Sequence, residues 1–105
     1  MSAAVPNRTV GVGLISVGWM GKVHSRAYQS LPIVYPELGI KPRLIIAADN
    51  VQERADYALN VLGYETSTLD YKEVLAHPDV DVVSICALAL PPTISIESVM
   101  KVNSK

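Results

Sequence analysis

Apolar residues along this chain recur in two rhythms. Residues 10–15 (Val-Gly-Val-Gly-Leu-Ile), 43–48 and 80–87 are short, nearly continuous apolar runs, as expected of strands buried on both faces. The segments between them carry helical signals. The first helix is expected over 20–31, where Pro32 stops it. Residues 32–42 contain three prolines and a glycine and read as an extended loop. A second helix follows Asn50, which can cap its first turn with Glu53 in the reciprocal capping-box position, and Gly63 closes it in a left-handed conformation. Ala55, Ala58, Leu59 and Leu62 fall on one stripe at helical spacing. A short strand is expected over 64–66. Asp70 and Glu73 repeat the capping logic for a short third helix ended by His77-Pro78. Beyond Pro91-Pro92, residues 93–102 place Ile96, Val99 and Met100 on one helical face, although Ile94 and Ile96 also alternate like a strand.

Alternating strands and helices predict an α/β protein: a Rossmann-like three-layer α/β/α arrangement on a parallel sheet. With right-handed crossovers the strand order becomes 3-2-1-4. The pattern stops before fifth and sixth strands, so 10–105 is expected to be an incomplete domain behind a flexible segment 1–9. The fourth strand is then a hydrophobic edge through which, or through the 93–102 helix, copies of the chain could associate.

Composition narrows the field. At 105 residues, with 50% hydrophobic and 18% charged positions, the chain suits one small packed domain. A net charge of -1 argues against nucleic acid as a partner, and no apolar run reaches the roughly 18 residues of a membrane span. Cys86 is the lone cysteine, which excludes an intrachain disulfide and suggests a reducing, cytoplasmic setting.

The candidate chemistry lies at the end of the first strand. Ser16-Val17-Gly18-Trp19-Met20-Gly21 is a glycine-bearing turn, and the next long strand ends in Asp49. Strand, tight turn, helix and a second strand closing on a carboxylate form the pattern of a dinucleotide-binding βαβ unit. Its pyrophosphate sits on the helix N-terminus, where unpaired amides and the helix dipole favour an anion. Gly18 takes the role of letting the backbone approach the phosphates, and Gly21 that of close helix–strand packing. The first glycine is replaced by Ser16, which holds the turn freely if its φ is negative and at a cost of about 1 kcal/mol otherwise. The register beginning at Gly11-Val12-Gly13 is rejected because it places the turn inside the strand. Asp49 would accept hydrogen bonds from ribose hydroxyls and repel a 2′-phosphate, favouring NAD over NADP. The loop of 32–42 explains why Asp49 lies farther along than the ~20 residues usual for this motif.

The run Gly18-Trp19-Met20-Gly21-Lys22-Val23-His24-Ser25-Arg26-Ala27-Tyr28 resembles the G-x-M-G-x-x-H-x-x-A signature of the glucose–fructose oxidoreductase and inositol dehydrogenase family. Ala47-Ala48-Asp49, residues 70–75 and residues 78–85 extend the resemblance over nearly the whole chain from Val10. It implies the N-terminal Rossmann domain of an NAD(P)-dependent sugar or polyol oxidoreductase about three times this length. The family's catalytic lysine, in an E-K-P motif, and its C-terminal substrate domain lie beyond this sequence, so no catalytic residue is expected here and the chain would not transfer hydride alone. Where the family shows T-P-N-x-x-H after the fourth strand, this chain has Ala87-Leu88-Ala89-Leu90-Pro91-Pro92. The expected cofactor-binding set is therefore Ser16, Gly18, Trp19, Met20, Gly21, Asp49, Ala87 and Leu88. The alternative is a non-catalytic interaction or nucleotide-sensing module with a degenerate site.

Other residues carry blander expectations. For His24 a packing or hydrogen-bonding role outweighs a cofactor-proximal one, and Cys86 reads as a small core residue rather than a nucleophile. His77, Asp79 and Asp81 are expected to be solvated. Trp19 could flank phosphates or cover the turn. No cluster has metal-ligand spacing.

Overall fold

The computed structural model describes residues 8–86. They form four strands, β1 (Arg8–Ile15), β2 (Ile40–Ala48), β3 (Thr66–Thr68) and β4 (Val82–Ile85), with helices α1 (Trp19–Val34), α2 (Gln52–Tyr57) and α3 (Tyr71–Ala76) between them. All strand pairs are parallel, and the order is β3-β2-β1-β4. This is the Rossmann-like arrangement expected from the alternating pattern. The expectations for residues 1–7, for Ala87 and Leu88 and for the helix over 93–102 lie outside the described residues.

Two apolar layers enclose the sheet. On the α1 and α2 side, Val12, Leu14, Val17, Leu44, Ala47, Ala58, Leu62 and Tyr64 form one buried cluster; on the α3 side, Ile15, Ile45, Ile46, Ala48, Val74 and Val80 form the other. Strict alternation along β2 would separate Ile45 from Ile46, yet both lie in the second cluster. The register shows why: Val12 pairs with Leu44 but Gly13 pairs with Ile46, a bulge that leaves Ile45 as the extra residue of β2. Both isoleucines thereby turn to the side where β1 carries glycines at 11 and 13, with Ile15 beyond them.

Several boundaries differ from the pattern reading. Helix α1 runs past Pro32 to Val34, because proline removes only its own N–H from the ladder, which resumes with the Tyr35 amide donating to the Leu31 carbonyl at 2.8 Å. A 3₁₀ turn at Pro36–Leu38 and left-handed Gly39 (φ 64°) then lead into β2 three residues earlier than expected. Pro42 is tolerated there because β3 pairs with β2 only from Ile46 onward, leaving no ladder on that side of Pro42. Strand β3 lies two residues beyond the expected 64–66, and β4 is shorter than 80–87. The second helix starts one residue late, with Val51 rather than Asn50 at its N-cap and no side-chain cap, so the Asn50–Glu53 box does not form. It then widens into a π-helical turn, Ala58–Leu62, closed by left-handed Gly63 (φ 88°). A wider turn rotates the stripe: Ala55, Ala58 and Leu62 are buried, while Leu59 is 42% exposed. The Asp70 cap is present, accepting from the Lys72 amide at 3.0 Å, but Glu73 pairs with the Thr68 hydroxyl instead of its own helix start.

A buried polar relay fastens α1 to the segment between the second helix and β3. The Ser25 hydroxyl donates to the Gly21 carbonyl at 2.7 Å, so its single proton is committed and Tyr64, 2.8 Å away, donates to Ser25. Burial raises the Tyr64 phenol from its ordinary 10.0 to about 12. The fold thus holds Tyr64 neutral where the unfolded chain would release its proton. Stability from this group is complete below pH 10.0 and is lost as the pH rises toward about 12. Urea midpoints measured across that window should fall, and the fall should be shallower in Tyr64→Phe; equal slopes in the two proteins would refute the assignment.

Candidate functional site

The carboxyl ends of β1 and β2 meet at the turn Ser16–Gly18, from which α1 departs. Ser16 has φ 78°, the one positive value at a described residue other than glycine. It therefore adopts the left-handed conformation of the first glycine, and the strain-free alternative with negative φ is not the one used. The expected cost is about 1 kcal/mol. The Ser16 amide donates to the Ala48 carbonyl at 2.8 Å, so the turn stays registered to β2 as it leaves β1.

The two glycines separate cleanly by their surroundings. A Cβ on Gly21 would lie 2.4 Å from the Ser16 carbonyl oxygen and 3.3 Å from a Leu14 methyl. Only glycine permits helix and strand to approach so closely. A Cβ on Gly18 would meet nothing within 4 Å. Gly18 is the N-cap of α1, no side chain caps that helix, and its first turn has no acidic residue. The first intrahelical bond runs from the Lys22 amide to the Gly18 carbonyl at 3.0 Å, so the amides of Trp19, Met20 and Gly21 precede the ladder. Open backbone, three amides outside the ladder and the positive end of a 16-residue helix make a cradle for an anion. Trp19 is 77% exposed and Met20 49%, so the indole stands beside the cradle rather than covering the turn.

Asp49 closes β2 at the same crest and is only 7% exposed. Its Oδ2 accepts from the Val17 amide at 2.9 Å and its Oδ1 from the Val51 amide at 2.9 Å. A carboxylate has about four acceptor positions. Two are therefore committed to backbone and two are left for hydroxyl donors. The structure thus brings Ser16, Gly18, Trp19, Met20, Gly21 and Asp49 to one crest, whereas the expectations for Ala87 and Leu88 lie outside the described residues. Val17 and Val51 belong to the site through their amides, and no side-chain pattern could have announced them.

The remaining candidates sit apart from the cradle. His24 is half-buried with Nδ1 3.4 Å from the Ser84 hydroxyl, which also bonds the Tyr28 phenol at 2.8 Å. Beside them runs a largely apolar groove lined by His24, Ala27, Tyr28 and Leu31. Cys86 packs against the first core cluster, and burial pushes its thiol up, away from nucleophilic character. His77 is not simply solvated: it is half-buried, and its Nδ1 accepts from the Asp79 amide at 3.1 Å. Asp81, although exposed, extends the β1–β4 ladder by accepting from the Gly11 amide at 2.8 Å. Among the described residues no helix is long and apolar enough to cross a membrane.

No protein-family model matches the chain. Levoglucosan dehydrogenase of Pseudarthrobacter phenanthrenivorans is 38% identical over 79 residues, which are 74% of this chain and 20% of that protein. The structure of a levoglucosan dehydrogenase complexed with NADH superposes with a TM-score of 0.71 at 35% identity, covering 76% of this chain and 22% of that one. Scyllo-inositol dehydrogenase from Lactobacillus casei, with bound NAD(H) and scyllo-inositol, gives 0.64 at 26% identity over 91% of this chain and 26% of its own. The chain thus spans roughly a fifth to a quarter of each relative it matches.

Proposed function

We propose, from the premise that this chain belongs to the glucose–fructose oxidoreductase and inositol dehydrogenase family as part of its N-terminal Rossmann region, that it is an NAD-binding unit of a sugar or polyol oxidoreductase. One observation carries the reading: the open space at Gly18 stands directly before the uncapped amides of Trp19, Met20 and Gly21. The pyrophosphate rests there. The left-handed Ser16 turns the chain out of β1, and Gly21 lets α1 begin close enough to the sheet to aim its amides. The two uncommitted acceptor positions of Asp49 take the ribose hydroxyls, and its negative charge opposes a 2′-phosphate. Trp19 and Met20 flank the phosphates, and the family resemblance assigns Ala87 and Leu88, which lie outside the described residues, to the same cofactor-binding set. NAD, when bound, supplies the hydride acceptor; this chain's residues bind and orient its adenosine diphosphate half.

The relatives' named ligands, levoglucosan and scyllo-inositol, are polyhydroxylated rings, and we assign the same substrate class to the assembled enzyme. This outweighs a non-catalytic interaction module, because the relatives hold NADH or NAD(H) and the cradle here is geometrically open. Calorimetry of the full chain against NAD and NADP tests the reading: NAD should bind more tightly. Tighter NADP would remove the role of Asp49, and no heat with either dinucleotide at millimolar concentration would remove the binding function.

Two further assignments complete the proposal. The net charge of -1 and lone cysteine support a cytoplasmic protein that does not bind nucleic acid. Strand β4 pairs with β1 alone among the described strands, which supports association of copies through that edge. Light scattering should then give a mass above the 11.3 kDa monomer, and a strictly monomeric mass at high concentration would rule the edge out.

A further inference from the structure

Ser16 is held from both sides by Ala48, the last residue of β2, and by Asp49, which follows it. Its own amide donates to the Ala48 carbonyl at 2.8 Å, and the amide of the next residue, Val17, donates to Asp49 Oδ2 at 2.9 Å. The second carboxylate oxygen accepts from Val51 at 2.9 Å, which fixes the side chain against rotation. Among the described hydrogen bonds none uses the Ser16 hydroxyl, so the residue supplies no restraint of its own. A glycine visits positive φ freely, while a serine leaves it unless held.

We propose that Asp49 is a positioning residue for the phosphate-binding turn: its carboxylate holds Ser16 in the left-handed conformation that glycine would adopt unaided. Ribose recognition and phosphate cradle are then one coupled device, and the serine in place of glycine is tolerated because Asp49 braces it. The turn projects the Gly18 cradle, so releasing Ser16 to negative φ would swing Val17 and Gly18 away from the helix N-terminus. Asparagine cannot replace the carboxylate. Two N–H donors face residue 49, one on each oxygen, and an amide side chain offers an acceptor to only one of them.

The affinity part of this inference rests on the NAD reading; the structural part does not. The test is a cycle of four full-length chains: wild type, D49N, S16G and D49N/S16G. Each is measured by urea unfolding, by amide exchange at residues 16 and 17, and by NAD calorimetry. Glycine at position 16 should keep the turn when the brace is gone, so the two substitutions should be strongly non-additive. D49N is expected to weaken NAD binding about 100-fold beside Ser16 and only about 10-fold in the S16G background, where the ribose contact alone is lost. Exchange at Val17 should quicken in D49N, and at residue 16, whose amide is bonded to the Ala48 carbonyl, it should return toward the wild-type rate in the double variant. Equal effects of D49N in both backgrounds would overturn the brace, as would failure of D49N to fold in both. If wild type binds no NAD, the functional reading falls, and the unfolding and exchange cycles still decide the brace: a smaller D49N effect in the S16G background supports it, an undiminished one rejects it.

Discussion

Replacing Gly18 by alanine is expected to leave the fold as stable as before and to weaken NAD binding about 100-fold, close to 2.8 kcal/mol. The first half follows from the structure. A Cβ at this position touches nothing within 4 Å, and its φ of -62° is open to any residue. Glycine gives the N-cap no packing that alanine would lose. The second half rests on the proposed site: with the pyrophosphate at the amides of the first turn, which begins at the residue after Gly18, a methyl at Gly18 competes for the open space there. Charge-assisted hydrogen bonds of this kind contribute about 1.5–3 kcal/mol each, and a methyl held in their path lengthens more than one of them. Thermal unfolding paired with calorimetry separates the two effects. Unchanged stability with an affinity within threefold of wild type would place the phosphates elsewhere.

Gly11→Ala should do the reverse and destroy the fold rather than the site. A Cβ there would stand 1.8 Å from the Asp79 carbonyl oxygen and 3.3 Å from Ile45 Cγ1. The obstacle is backbone, not a flexible side-chain end, so relief requires the chain entering β4 to move. That chain is tied to the same glycine twice, by the Asp81 amide to the Gly11 carbonyl at 2.7 Å and by the Gly11 amide to the Asp81 carboxylate at 2.8 Å. Overpacking costs about 1–3 kcal/mol where side chains can yield, and two hydrogen bonds of about 1 kcal/mol each go with it. A loss of about 3 kcal/mol or more is expected, a large share of the stability of a domain this small. Denaturant unfolding measures it directly. A loss below about 1 kcal/mol would mean that the β1–β4 contact is looser than its geometry.

What the sequence made legible, and what it hid, divides along physical lines. Strand order, the open Gly18 and the packing Gly21 followed from local rules of periodicity and turn chemistry. The end of α1 did not, because a proline's cost falls on one hydrogen bond and the ladder resumes beyond it, where the Tyr35 amide reaches the Leu31 carbonyl. Leu59 was placed on a stripe drawn at about 3.6 residues per turn, and the π-helical turn broke that arithmetic. The Ile45 bulge was invisible for a related reason: a continuous apolar run carries no alternation from which a slip could be noticed. At the site, Asp49 stood out as an acid at a strand end. Its grip on the Val17 and Val51 amides did not, since every residue but proline owns an amide and the pairing is decided by the fold. The sign of φ at Ser16 was likewise a matter for tertiary structure.

Trp19 is the single tryptophan of the chain, and it is 77% exposed beside the cradle. Its indole is already in water when the protein is native, so intrinsic fluorescence will barely register unfolding and will understate stability changes in every variant above. The same placement makes it a reporter for something else. On the proposed placement, a dinucleotide arriving at the amides of the first turn is expected to change the solvent around that one ring, so emission should follow occupancy of the site while staying blind to the fold that builds it.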